Sequence, residues 1–237
     1  MESRYLYLLI NLLSVSLPLI FSFYPKAPFY KKWKYLFPAV LITASIFLLW
    51  DVVFTELGIW GFNPRYITGI YVFNLPVEEV LFFICIPYAS LFTYFALIHL
   101  LKKDYLFPHQ ELISSCLSVF LLIGGMYHMD KSYTGVTFFA AGLFIAYQML
   151  FLKPRYMGRF YVAFAVTLVP FFIVNGILTG SFIDEPVVWY NNEENLGIRI
   201  GTIPIEDAFY GLLLLTMNVS IYEFLKTRDG EYYSIYS

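Results

Sequence analysis

Long apolar stretches alternate with short polar breaks along almost the whole chain. Seven of them approach the roughly 20 residues that a helix needs to cross a hydrocarbon core. They are Tyr5–Tyr24, Tyr35–Thr55, Val77–Leu101, Leu112–Met129, Gly135–Leu152, Phe160–Leu178 and Ile205–Leu225. Gly124, Gly125 and the short Asp130–Thr134 connection blur the boundary between the fourth and fifth. The pattern predicts an all-α, polytopic membrane helical bundle of about seven transmembrane helices. The first run carries its lysines after it (Lys26, Lys31, Lys32, Lys34), the reverse of a cleavable signal peptide, and reads as a membrane helix.

The pattern also repeats. Leu75-Pro76-Val77-Glu78-Glu79-Val80-Leu81-Phe82 returns, loosely, 128 residues later as Ile203-Pro204-Ile205-Glu206-Asp207-Ala208-Phe209-Tyr210. Asp51 and Asn175 stand near the ends of the preceding apolar runs, each followed by a loop rich in Trp, Tyr, Asn and Gly. Each half therefore reads as three helices with a decorated second connection, giving units 1–103 and 133–237 joined by a linking helix within 104–132. One helix between two three-helix units gives both the same direction through the membrane. This parallel three-plus-one-plus-three plan would start both acidic pairs on one face.

Composition and charge narrow the picture. With 59% hydrophobic and only 14% charged residues, the chain has too little polar surface for a soluble domain. Its surroundings are membrane lipid. The net charge of −2 and the lack of a long basic run exclude a nucleic-acid partner. Only Arg4, Arg65, Lys131 and Arg199 of the 15 basic residues fall on the side holding the N-terminus, so the positive-inside rule puts the N-terminus outside and the C-terminus in the cytoplasm, across a cell inner membrane. Cys85 and Cys116 sit in apolar runs as small hydrophobes. His99, His109 and His128 have no ligand spacing, so no metal is expected. Without G-x-G-x-x-G there is no warrant for a dinucleotide or flavin, and without a lysine in the seventh run before Lys226 none for a retinal Schiff base. Paired Asp-rich motifs for magnesium diphosphate are missing too.

The chemistry to explain is carboxylic. An acid in a membrane span is costly unless neutral, paired or hydrated. Pro76 and Pro204, read as first helical residues, put Glu78, Glu79, Glu206 and Asp207 in first turns. First-turn acids complement the helix dipole without any catalytic role. Two pairs at equivalent repeat positions ask for more. Phe82, Phe83 and Tyr210 follow Glu78, Glu79 and Glu206 by four residues, which would stack each ring one turn deeper on the same face. An acid above an aromatic-lined cavity can donate a proton and then stabilise a cation, while burial and like charge disfavour ionising both members of a pair. That suits a proton-initiated reaction of an alkene. Asp51 can pair with the third helix's acids or bind a loop N–H, with Asn175 as its counterpart. Most of the Trp and Tyr residues read as interfacial anchors.

From Asp51 through Phe83, with Trp60-Gly61-Phe62-Asn63-Pro64 and the Pro76–Phe83 motif, the sequence resembles the heterodimeric-type lycopene cyclases. The second half, at Pro204–Tyr210, is similar to the partner subunit's pattern, so the chain resembles the two subunits fused. The resemblance implies a cofactor-free membrane enzyme that closes the linear ends of lycopene into β-ionone rings without redox change, yielding β-carotene. It implies Glu78, Glu79, Glu206 and Asp207 as proton donors and acceptors, with Asp51, Trp60, Asn63, Phe82, Phe83, Asn175 and Tyr210 at the substrate pocket. Association with other carotenoid-pathway enzymes is a further implication. The second copy departs in having Asp207 where the first has Glu79, and Gly211 where the first has Phe83. Three alternatives share the helix plan: a transporter of a small solute, a carotenoid-binding subunit without catalysis, and a cyclase for another carotenoid. Acids near helix ends instead of the midplane, with aromatics beside them, favour the cyclase over the transporter.

Overall fold

The computed structural model describes residues 4–230, so 1–3 and 231–237, the extreme ends of the expected units 1–103 and 133–237, lie outside the described residues. Seven helices follow one another: α1 (Leu6–Phe21), α2 (Trp33–Glu56), α3 (Val77–Leu100), α4 (Gln110–Tyr127), α5 (Ser132–Tyr147), α6 (Met157–Leu178) and α7 (Ile205–Arg228). Six are long and apolar enough to cross a membrane, counting the turns that extend α2, α4 and α5. The first, with 16 residues, is shorter than the apolar run that predicts it. The chain leaves the helix at Ser22, ahead of Pro25, which disfavours helical backbone at the residue before it. The protein is an all-α membrane bundle, and its burial is inverted as lipid demands. Leu13, Leu17 and Leu49 are 70%, 63% and 70% exposed, whereas Glu78 and Glu206 are fully buried.

The blurred boundary between the fourth and fifth runs resolves into close packing. Gly124 and Gly125 lie inside α4 and do not break it. A Cβ on Gly125 would stand 2.8 Å from the backbone nitrogen of Phe139 on α5, so glycine lets the two backbones approach. The fifth run continues past α5 through a π-helical turn, Gln148–Leu152.

Three short two-stranded pairs form at one end of the bundle. β1 (Trp60–Phe62) pairs antiparallel with β4 (Val188–Tyr190), while β2 (Tyr71–Val72) pairs with β3 (Leu75–Pro76) and β5 (Arg199–Ile200) with β6 (Ile203–Pro204). The two hairpins share one register, Tyr71 opposite Pro76 and Arg199 opposite Pro204. They also close alike, Val77 N donating to Ile70 O at 2.8 Å and Ile205 N to Ile198 O at 3.0 Å. These ladders hold Pro76 and Pro204 in extended backbone, so both prolines are N-caps and not first helical residues. The acids remain in the first turns.

The β1–β4 pair brings the two decorated connections to the same end, and with them the starts of α3 and α7. α1 packs on α3 and α5 on α7, while α2 packs on α7 and α3 on α6. Each half thus supports the other's third helix. The main core includes Phe47, Phe83 and Phe138, with Phe209 packed against it.

Candidate active site

Successive helical residues point about 100° apart, so two adjacent acids in a first turn cannot both face the same way. In both halves the second acid turns inward. Glu79 and Asp207 line one cavity of about 390 Å³, walled by α1, α3, α6 and α7 and by β1 and β4. Asp51, Trp60, Phe82, Asn175 and Tyr210 line it as well.

Glu78 and Glu206 turn away and hold loops. Glu78 Oε1 accepts from the Thr68 backbone N–H at 2.8 Å. Glu206 Oε1 accepts from the Leu196 N–H, also at 2.8 Å, and from Thr134 Oγ1 at 2.6 Å. The repeat extends to the loop hydrogen bond: the first acid of each pair pins the loop that leads into its own hairpin, and Glu206 takes the Thr134 hydroxyl besides. Phe83 packs with Phe47 and Tyr210 away from the cavity. Asn63 stays in the loops, donating to Glu185 Oε2 at 3.0 Å and accepting from the Arg65 N–H. The ring that shares a face with Glu79 is Phe82, three residues on. The partner of Asp207 is likewise Tyr210, so the pairing is i, i+3 and not the i, i+4 read from the sequence.

The two inward acids are held by equivalent helices but by different chemistry. Tyr7 on α1 donates to Glu79 Oε2 at 2.6 Å, and Tyr133 on α5 donates to Asp207 Oδ1. From the second helix of the first half, Asp51 comes within hydrogen-bonding reach of Glu79. From the second helix of the other half, Asn175 Nδ2 donates to Asp207 Oδ2 at 3.0 Å. Tyr190 OH donates to that same oxygen at 3.0 Å, and Tyr210 OH donates to Asp51 Oδ1 at 2.9 Å, tying the halves together. Burial, and after it the Asp207 carboxylate, push the Tyr190 phenol well above its ordinary pKa, so it remains a donor.

Two carboxyl groups can hydrogen-bond to each other only by sharing a proton, since an ionised carboxylate has nothing to donate. Asp51 and Glu79 are near enough for one proton to be shared between them. Asp207 accepts from three neutral donors, an arrangement for a carboxylate able to take a proton. Aromatic rings stand between these poles: Trp60 lies 5.1 Å from Tyr133 and 6.0 Å from Tyr210, centroid to centroid, and Tyr133 stacks on Tyr190 at 5.7 Å. Their electron-rich faces suit a transient cation in an otherwise apolar space.

Tyr7, Tyr133 and Tyr190 were not singled out by the sequence, where tyrosines are plentiful and read as interfacial anchors. A signal was present. Tyr7 and Tyr133 are both the second residue of the opening helix of their half; one turn on from Tyr7, Asn11 donates to the Glu78 backbone carbonyl, and next to Tyr133, Thr134 donates to the Glu206 carboxylate.

A sequence model described as "Lycopene cyclase" matches residues 4–97 and 130–225, most of the chain. The first stretch spans α1, α2 and most of α3, the second α5, α6 and most of α7. No curated protein and no solved structure matches.

Proposed function

Because the chain belongs to the lycopene cyclase family, and so is an enzyme acting on carotenoids, we propose that it converts the linear ends of lycopene to β-ionone rings by a proton-initiated, non-redox cyclisation. The observation that carries this reading is the difference between two equivalent positions. The inward acid of one half has a carboxyl beside it, Asp51, and that of the other has an amide, Asn175.

The Glu79–Asp51 pair gives its proton to the terminal double bond, leaving a tertiary carbocation. An internal double bond attacks that centre and closes the ring, and the new cation loses a proton to Asp207. One proton enters and one leaves, so the product is an isomer. Trp60, Tyr210 and Phe82 present π faces to the cation and keep water from trapping it. Glu78 and Glu206 act at one remove, as anchors of the loops over the site.

The wider organisation fits the same reading. Two three-helix units with α4 as the link, running in the same direction, put both inward acids at one end of the bundle. We take that end to lie on the outer side of a cell inner membrane, with the C-terminus cytoplasmic, a reading that the distribution of Lys and Arg supports. Part of the cavity wall is Leu13 and Leu17 on the lipid-exposed side of α1, a route by which a polyene dissolved in the bilayer reaches the acids.

Expression in lycopene-producing bacteria tests this. We expect β-carotene in the pigment extract, lost with Glu79→Gln or Asp207→Asn. Unaltered lycopene beside folded protein would reject the function, and full activity in either variant would reject the assignment of roles.

A further inference from the structure

Glycine inside a helix costs about 1 kcal/mol relative to alanine, so a helical glycine usually answers to backbone or packing. Gly211, in α7, answers to neither. It is not among the glycines with positive φ. A Cβ there would meet nothing nearer than Phe171 Cε2 at 3.8 Å, an ordinary contact. The other glycines within α4, α5 and α6 are tighter, and at Gly125, Gly135, Gly142 and Gly158 the obstacle includes backbone atoms at 3.0 Å or less. What lies in front of Gly211 is the cavity, whose wall it forms one turn beyond Asp207 on the same helix face.

The repeat shows what a side chain at this position does. The residue 128 earlier is Phe83, one turn beyond Glu79. It is 1% exposed, with its ring among Phe47, Phe82 and Tyr210, and it lines no part of the cavity. A phenyl group closes the space on one side of the duplicated fold, and a hydrogen atom leaves it open on the other.

Resting on the reading of the site as a carotenoid cyclase, we infer that Gly211 is a specificity-determining residue. It makes the room below Asp207 in which a branched polyene end folds back on itself for ring closure. An extended chain is slimmer than its folded end, so any side chain at 211 works against the reactive shape.

The test uses full-length protein in membranes, read by lycopene conversion, lycopene binding (quenching of tryptophan fluorescence) and thermal unfolding. Gly211→Ala should lower conversion about tenfold, the scale of one methyl group in a fitted pocket. Its unfolding midpoint should stay level or rise, because alanine favours the helix. Gly211→Leu should lose conversion by about 100-fold or more and weaken binding. Adding Phe171→Ala to Gly211→Leu, which trims the facing ring, should recover much of the loss. Wild-type conversion in Gly211→Leu, or a midpoint that falls together with activity in Gly211→Ala, would overturn the inference. A wild-type protein that binds lycopene without converting it would end the proposed reaction alone. Binding then decides the role of Gly211: weakened by leucine it stands, unchanged it fails. A wild type that neither binds nor converts lycopene ends both.

Discussion

Asp51 and Asn175 nearly match in shape and differ in what they can do with a proton. An amide at 175 can only donate to Asp207 through its nitrogen, whereas a carboxyl at 51 can share a proton with Glu79. Asp51→Asn keeps the volume and removes that sharing. Since a positioned general acid contributes about 10²–10⁴-fold, conversion of lycopene should fall by at least about 100-fold, with the melting profile little changed. A rate within experimental error of wild type would show that Glu79 needs no partner. Glu78 gives the opposite expectation. Its Oε1 only accepts the Thr68 N–H, which a glutamine oxygen does equally well. Glu78→Gln should therefore keep most of the activity. Glu78→Ala leaves the half-buried Thr68 N–H without this acceptor and should cost about 1 kcal/mol of stability, measurable by thermal or denaturant unfolding in detergent. Near-complete inactivation of Glu78→Gln would return Glu78 to the chemistry.

At the scale of elements, the same substitution should have opposite effects on two helices. Gly125→Ala on α4 puts a methyl 2.8 Å from a backbone nitrogen of α5, which cannot move aside as a side-chain end can. We expect a loss of about 1–3 kcal/mol from overpacking, despite alanine's better helix propensity, read as a lower unfolding midpoint. An unchanged midpoint would mean that α4 and α5 are loosely held. The contrast marks what the sequence could reveal. Seven apolar runs, their order and the acids in two first turns were legible, because hydropathy and proline position register directly in composition along the chain. Which acid of each adjacent pair faces inward was not, since that depends on how α3 and α7 rotate against their neighbours. Tyr7 and Tyr133 were legible only as matching positions at the starts of two helices and Tyr190 not at all, because they reach the acids through contacts 72, 74 and 17 residues distant. The glycines were visible as letters, but whether each serves a helix contact or an open space is a fact of packing.

For the whole molecule, both acid-bearing helices, α3 and α7, turn an acid into the same cavity. A fold with two equal halves could in principle treat both ends of a symmetric polyene at once. Here Phe83 and Phe47 pack together in the core, and the inward acids of both halves converge on a shared space of about 390 Å³. On the proposed function, that space takes one folded end of a long carotenoid while the remainder extends into lipid past Leu13 and Leu17. A second ring then requires the half-reacted molecule to withdraw, reverse and return with its other end first. Release should be real and not a pause on the enzyme, because nothing in the cavity distinguishes a finished end from any other apolar group once its charge is gone. Monocyclic carotenoid should accordingly rise and peak before the bicyclic product in a time course with lycopene-loaded membranes. Isotopically labelled lycopene followed by an excess of unlabelled lycopene should leave label stranded in the monocyclic pool, because released intermediate must compete for the one site. Label passing to the bicyclic product undiminished by the chase would mean that both ends are handled without release, and that a second site or a second copy of the chain takes part.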